Sequence, residues 1–143
     1  MAIALDTCII ISRKNKPVPS KHFISIVVIQ ELIAGAADAS VVKHWITVAQ
    51  QAEEAKRLLV PTVQDWIEAG KILNSHLRGL KSRNKGRTPK LPGQEKQRII
   101  RDVLIARCVK RAGATLVTDN LKDFKMIERF CKLKIRSGRE FFG

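Results

Sequence analysis

The stretch Thr118-Asp119-Asn120-Leu121-Lys122-Asp123-Phe124 carries most of the information about the fold. It follows a short apolar run, Ala114 to Val117, which is typical of a buried strand. In an open α/β sheet, the side chains just beyond the carboxyl end of a strand line the ligand-binding crevice. We therefore expect Thr118 and the carboxylates after it to lie at such a crevice.

A second acid, Asp102, precedes this stretch in a segment with helical periodicity. Ile99, Val103 and Ala106 fall on or beside its face of the helix. A carboxylate among apolar side chains is costly to bury unless it is paired, hydrogen-bonded or bound to a metal ion. One acid on a helix and others at a strand end therefore indicate a common partner, and a divalent cation is the simplest one.

The composition predicts a globular protein with a polyanionic partner. The chain has 143 residues, which suits one domain, residues 1–143, with a single core. Its 27 Lys and Arg against 13 Asp and Glu give a formal net charge of +14. Residues 78–111 hold twelve of the basic residues and only two acids. A solvated basic face would also explain this segment, but the excess favours nucleic acid.

The cysteines and the apolar runs indicate in which cellular compartment the protein is expected. Cys8, Cys108 and Cys131 are odd in number and contain no CxxC pair, which favours reduced thiols in a cytoplasmic protein and argues against a zinc site. No apolar run approaches the ~20 residues that span a bilayer. The amino terminus lacks the arrangement of a secretory signal, so no membrane association is expected.

Strands and helices are expected to alternate. The predicted strands are Ile3-Ala4-Leu5, residues 22–25, Leu58-Leu59-Val60, the run up to Thr118, and Leu133-Lys134-Ile135. The predicted helices cover residues 26–37 with Ser25 as a cap, a segment starting at Asp38 or Ser40, a longer one capped by Thr62, residues 94–112, and residues around 124–130. Residues 26–29 are β-branched, so strand and helix compete there as far as Gln30. Alternation of this kind predicts parallel βαβ units in a three-layer α/β/α sandwich with a mostly parallel central sheet.

Several segments are expected to be core, loop or tail. Trp45 and Trp66 are expected to pack in the core, as are the apolar residues Val63, Ile67, Leu73 and Leu77 around Trp66. Residues 13–21 and 79–93 are rich in basic residues with Pro or Gly, and they are predicted to be loops. The residues after Ile135 are predicted to form a basic tail.

Four motifs in this order resemble the PIN-domain nucleases, and within them the VapC-type toxins of bacterial toxin–antitoxin pairs. They are Leu5-Asp6-Thr7, Glu31-Leu32 with Gly35, Asp102 with Ile105-Ala106, and Thr118-x-Asn120-x-x-Asp123-Phe124. Each motif is weak alone, but the four occur in the order expected for the family. The resemblance covers nearly the whole chain. The resemblance implies a PIN-like fold and a metal-dependent endoribonuclease. It also implies an RNA substrate, a cognate antitoxin and a homodimer.

The resemblance also implies roles for individual residues. Asp6, Glu31, Asp102 and Asp123 match the catalytic acids, with Asp6, Asp102 and Asp123 as ligands of Mg²⁺ or Mn²⁺. Thr118 and Asn120 match the supporting polar groups, and Asp119 occupies the variable position of the same motif. From the charge pattern, we expect the basic residues Arg83, Lys85, Arg87 and Lys90 to bind RNA.

Two features depart from the family pattern. Cys8 stands where the family usually has a small polar residue, and the basic segment 13–21 replaces an expected helix. The chemistry is still consistent, because a ligand set made only of oxygen atoms favours hard cations such as Mg²⁺ and Mn²⁺. No histidine occurs in any of the four motifs, and no Gly-rich phosphate-binding motif is present.

Two other functions remain open from the sequence. One is a non-catalytic nucleic-acid-binding PIN-like module whose acids are structural. The other is a receiver-like phosphoacceptor, which also gathers aspartates at strand ends, although the basic charge and the lack of adjacent acids after the first strand disfavour it. If the four acids converge with no cation among them, they repel one another and raise each other's pKa values.

Overall fold

Short parallel strands form the centre of the computed structural model, which describes residues 1–13, 21–87 and 91–143. The strands are β1 (Ile3–Leu5), β2 (Ile24–Ser25), β3 (Leu58–Leu59), β4 (Thr115–Val117) and β5 (Lys134–Arg136). β4 lies between β1 and β5, and β2 pairs with β3. A parallel bridge between Ala4 and Phe23 joins the two groups and gives the spatial order β3-β2-β1-β4-β5. This order differs from the 2-1-3-4-5 order of receiver domains and removes the phosphoacceptor hypothesis.

The helices of the described ranges flank these strands. They are α1 (Thr7–Ser12), α2 (Ile26–Ala34), α3 (Ala39–Glu54), α4 (Val63–Arg83), α5 (Gly93–Arg111), α6 (Leu121–Glu128) and α7 (Gly138–Phe142). The α/β class and the parallel pairing that the sequence predicts are therefore confirmed. None of these helices is long and apolar enough to span a membrane.

The register of the two central strands sets the position of the site. Ile3 pairs with Thr115 and Leu5 pairs with Val117, so β1 and β4 end at the same level. The Asp6 N–H extends this ladder by donating to the Val117 carbonyl at 3.0 Å. Both strands are fully buried, which agrees with their continuous apolar sequences. Asp6 and Thr118 therefore leave the sheet side by side.

Side-chain caps start α2, α3 and α4 where the sequence predicts a cap or a start. Ser25 accepts from the Val27 N–H, and Asp38 accepts from the Ser40 and Val41 N–H groups. Thr62 and Asp65 form a capping box at α4, in which each side chain bonds the backbone of the other residue. Asp6 also caps a helix, α1, although it is buried, with its Oδ1 2.9 Å from the Thr7 nitrogen.

Two predicted segments are corrected by the structure. Residues 79–83 belong to α4, so the loop that was predicted from residue 79 starts only after Arg83. The segment after Ile135 is partly helical, because Ser137 caps α7 by accepting from the Glu140 N–H. The β-branched run after Asp6, for which no element was predicted, forms helix α1, since its cap and the packing of Ile9 against β1 and β4 outweigh strand propensity. Residues 14–20 of the basic segment 13–21 lie outside the described residues.

The apolar stripe predicted for α4 is confirmed at Leu73, which packs against the core, but it is wrong for Val63, Trp66 and Ile67, which are exposed. The buried residues of this helix are Asp65, Ala69 and Ile72, and they face α5, the helix with which α4 makes its main contacts. Trp66 is 57% exposed and Ile67 is 51% exposed, so neither is a core residue. The reason is an ion pair. Arg107 Nε of α5 lies 2.8 Å from Asp65 Oδ1, and Arg111 pairs with the other oxygen, which turns the Asp65 side of α4 inward.

Candidate active site

Carboxylates from four separate segments line one open cavity of about 440 Å³. Asp6 follows β1, Glu31 lies on α2, Asp102 lies on α5 and Asp123 lies in the first turn of α6. The parallel strands and the packing of α5 beside them bring these segments together. The structure therefore gathers the four acids that the sequence analysis singled out as catalytic.

Asp6 is held by hydrogen bonds to both of its oxygens. Its Oδ2 accepts from the Thr118 hydroxyl at 2.7 Å, and Oδ1 accepts from the Thr7 N–H. The Cys8 thiol lies 3.6 Å from Asp6 Oδ2 and 3.6 Å from Thr118 Oγ1. Burial raises the pKa of the Cys8 thiol, so the thiol keeps its proton and donates to Asp6. Cys8 thus makes polar contacts with both Asp6 and Thr118.

Asp102 has the most strongly shifted pKa of the four acids. It is 7% exposed, and its Oδ2 is buried with no hydrogen-bond partner among the described residues. Burial, followed by the charges of Asp6, Asp123 and Glu31, raises its pKa to about 8. A buried carboxyl oxygen without a partner is an expensive feature that calls for an explanation.

Glu31 is half-buried in the same cavity. Burial is the main cause that raises its pKa, and the charge of Asp6 raises it further, whereas the charge of Arg101 lowers it. A glutamate on a helix is most often solvent-exposed, so the sequence alone gave this residue little weight. Its contribution becomes visible only when α2 is placed beside β1.

Asp123 has a cation beside it that sequence reasoning missed. Arg98 Nε lies 3.3 Å from Asp123 Oδ2, and the Asn120 side-chain amide donates to the same oxygen at 3.1 Å. The supposition that no cation lies among the acids is therefore wrong. Arg98 precedes Asp102 by one helical turn, and this spacing was the available signal, since residues i and i+4 share a helix face.

Asp119 lies on the other side of its strand end, away from the four acids. It is exposed, and its Oδ1 accepts from the Gly138 N–H at 2.8 Å. A Cβ on Gly138 would lie 2.8 Å from Ile9 Cδ1 and 3.2 Å from Asp119 Oδ1, so a larger residue at this position would require the ends of these two side chains to move. Asp119 thereby fixes the start of α7 and does not line the acidic cavity.

Three of the four residues predicted to bind RNA lie at the end of α4 or just after it. Arg83 is the last residue of α4, and Lys85 and Arg87 follow it in the exposed turn. None of these three residues lines the acidic cavity. Lys90 lies outside the described residues.

The donor chemistry of the cavity fits a hard divalent cation. All four acids supply oxygen, and Asp102 Oδ2 is a buried acceptor without a donor. However, within residues 1–13, 21–87 and 91–143, no three Asp, Glu, His or Cys side chains form a ready-made metal-binding group. An ion shared by these acids therefore requires some of the side chains to rotate towards it.

Comparison with solved structures places the fold. No protein-family model matches the chain, and no curated protein matches it at a significant level. The chain is similar to DNA-bound VapBC from Salmonella typhimurium, with 26% identity, coverage of 96% of this chain and 98% of that chain, and a TM-score of 0.53. It is also similar to VapBC2 from Rickettsia felis bound to a promoter DNA fragment, with 19% identity, the same coverage and a TM-score of 0.52.

Both similar structures are toxin–antitoxin complexes, and the alignments span nearly all of the present chain. This similarity agrees with the parallel strand order and with the position of the acids beside the strand ends. The fold of this chain is that of a VapC-type PIN domain.

Proposed function

We propose that the protein is a metal-dependent endoribonuclease of the VapC type that hydrolyses RNA phosphodiester bonds. The observation that carries the proposal is the buried, unpartnered Oδ2 of Asp102 in a cavity with three further carboxylates. Four mutually repelling acids cost stability, and such a cost is typical of a functional site. The net charge of +14 suits RNA as the substrate.

Asp6, Asp102 and Asp123 would hold Mg²⁺ or Mn²⁺, which lowers the pKa of water and stabilises negative charge on a phosphodiester. The protein groups orient this site. The Thr118 hydroxyl and the Thr7 N–H fix the Asp6 carboxylate, and Asn120 fixes that of Asp123. Glu31 lines the same cavity and would orient the attacking water and accept its proton.

Cleavage of RNA by the purified protein tests this proposal. Wild-type protein should cleave single-stranded RNA with Mn²⁺ and lose this activity in EDTA. Asp102→Asn should remove the activity, with a rate at least a hundredfold lower, because the ligand charge is lost. Asp119→Asn makes the same chemical change on the other side of the strand end and should retain cleavage. Wild-type rates in a folded Asp102→Asn protein would refute the assignment.

A second candidate is a non-catalytic nucleic-acid-binding module. The Arg98–Asp123 pair favours it, because an internal cation already neutralises one of the acids. In that case RNA binds the wild type, and neither Mn²⁺ nor Asp102→Asn changes the fate of the RNA. The same assay therefore separates the two functions.

We also propose a protein partner of the antitoxin type. The similar structures are complexes of a toxin with an antitoxin. In the present chain, Val63, Trp66 and Ile67 expose more than half of their surface, and their spacing places them on one face at the start of α4. Val60, three residues before α4, is also more than half exposed. Exposed apolar side chains grouped in this way are typical of a protein interface. The resemblance further implies a homodimer, which sedimentation analysis of the purified chain would detect.

A further inference from the structure

A second cavity, of about 570 Å³, opens at the start of α5 next to the acidic one. Its lining is polar apart from Pro92 and consists of Gln94, Glu95, Gln97, Arg98 and Arg101. Arg98 and Arg101 line both cavities, so the two spaces adjoin across these guanidinium groups. A polymeric ligand that extends from the acidic cavity into the second cavity therefore passes over Arg98 and Arg101.

The two arginines are suited to an anionic ligand. They are three residues apart on one helix and therefore share a face. The ion pair with Asp123 engages Nε of Arg98, which leaves the terminal amino groups of this half-exposed side chain as donors. Guanidinium groups match the geometry of phosphate oxygens. Glu95 is the single acid of the second cavity, so its lining still carries a net positive charge.

The acids of the first cavity favour a cationic group next to them. A phosphodiester above Asp6, Glu31, Asp102 and Asp123 is repelled by their charges, and so is the phosphate that follows it. Within the described residues, Arg98 and Arg101 are the only cations that line the acidic cavity. A phosphate in the second cavity would neutralise them while its neighbour lies at the carboxylates.

We propose that Arg98 and Arg101 bind the phosphate adjacent to the scissile bond of single-stranded RNA, in the cavity at the start of α5. The inference rests on the proposed function for its substrate, although the binding step itself needs no cleavage. Gln94 and Gln97 border the same space and offer amide groups to the attached nucleotide. Arg98 thus has two partners, Asp123 and RNA.

Salt-dependent binding of a labelled oligouridine in EDTA tests the proposal without cleavage. The slope of log affinity against log salt concentration falls by about 0.7 for each lost single-strand phosphate contact. Arg98→Gln and Arg101→Gln should each lower the slope by this amount, and the double variant by about twice as much. Arg98→Lys keeps the charge and should keep the slope. Lys96→Gln is the matched control, because Lys96 is exposed on the same helix and lines neither cavity.

Neutralisation of Asp123 is the alternative role of Arg98, and a double variant separates the two roles. In Arg98→Gln/Asp123→Asn, both charges of the pair are removed. A slope that stays low in this protein supports phosphate contact. Recovery of the wild-type slope would show that Arg98 only screens Asp123, and an equal effect of Lys96→Gln would show a general basic surface. Either result overturns the proposal.

The outcome is also separable from that of the proposed function. If the wild type fails to cleave RNA with Mn²⁺ but Arg98→Gln lowers the slope, the phosphate site stands and the nuclease assignment falls. If the wild type cleaves RNA and neither arginine variant changes the slope, the nuclease assignment stands and the phosphate site falls. Melting curves of each variant establish that it is folded.

Discussion

Asp102 and Asp65 are both buried aspartates, yet their surroundings shift their pKa values in opposite directions. At Asp65, burial alone raises the pKa, but bonds from Arg111, the Thr62 N–H and Arg107 outweigh burial and hold the pKa at about 2. At Asp102, burial and three neighbouring acids raise the pKa to about 8. The first aspartate is thus an ion-pair partner that stabilises the contact between α4 and α5, whereas the second costs stability at neutral pH.

These shifts predict two separate pH windows in the stability of the metal-free protein. Asp102 binds its proton more tightly in the folded state, so stability should fall as pH rises from about 4 to about 8. The limiting slope is about 1.4 kcal/mol per pH unit for one proton. Asp65 has the opposite effect, because its pKa is lowered in the folded state. The stability that Asp65 contributes should be lost as pH falls from about 4 to about 2.

Urea unfolding in EDTA across this pH range checks the prediction. Asp102→Asn should flatten the decline between pH 4 and pH 8, because the variant has no proton to lose at this position. Asp119→Asn, which changes an exposed acid, should leave the decline intact. An identical decline in wild type and Asp102→Asn would contradict the raised pKa.

At the scale of single elements, the sequence predicted the helix starts that depend on a local cap, namely those of α2, α3 and α4. Ser25, Asp38 and Thr62 each satisfy backbone N–H groups in a local pattern that is visible in the sequence. Helix α7 was missed because it is short and depends on the Asp119 contact to Gly138, two residues that are distant in the chain. Likewise, the orientation of α4 depends on Arg107 and Arg111 of another helix.

The turn after α4 leads to a prediction about RNA binding. α5 rises about 1.5 Å per residue, so its start at Gly93 lies roughly 13 Å along the axis from Asp102. Exposed cations in the turn before α5 are thus within reach of an RNA that extends past the second cavity. Replacing Arg83, Lys85 and Arg87 by Ala should lower the salt slope by up to about 2, or about 0.7 for each contact.

The control for this triple variant replaces Lys132, Lys134 and Arg136 near β5 by Ala, which removes the same number of positive charges. This variant should bind oligouridine with the wild-type slope. If both triple variants lower the salt slope of RNA binding equally, binding follows the net charge, and the turn after α4 has no special role. If only the β5 variant loses slope, the RNA runs along the opposite face.

For the whole molecule, parallel topology made the site predictable in part. Asp6 and Thr118 follow strands whose carboxyl ends must lie on one edge, so their meeting could be expected from the alternation of strands and helices. The hydrogen bond between their side chains could not, because it depends on the register of Leu5 with Val117. Arg98 was one basic residue in a segment with many. Its position one helical turn before Asp102 set it apart in the sequence, but its contact with Asp123 is visible only in the structure.

Metal binding should appear as a change in the stability of the whole molecule. By mass action, Mn²⁺ at a hundredfold excess over its dissociation constant should stabilise the wild type by about 2.7 kcal/mol. Asp6→Asn should lose most of this gain. Without metal, the same variant should be about as stable as the wild type, because Asn caps a helix as well as Asp does and the charge that burial disfavours at Asp6 is removed.

Melting curves with EDTA and with Mn²⁺ measure both effects. Asp119→Asn should respond to Mn²⁺ like the wild type, since Asp119 lies outside the acidic cavity. A wild type whose melting curve does not respond to Mn²⁺ would show that the acids are structural. It would then favour the non-catalytic module.

The pairing of β1 with β4 also has a consequence for biosynthesis. Ile3 can meet Thr115 only after more than a hundred further residues have been added, and Asp123 comes later still. At 5–20 residues per second, the ribosome needs several seconds to reach that point. A nascent chain therefore carries Asp6 for most of its synthesis without the strand that positions it, and the acidic cavity forms only when the last of its four segments has emerged.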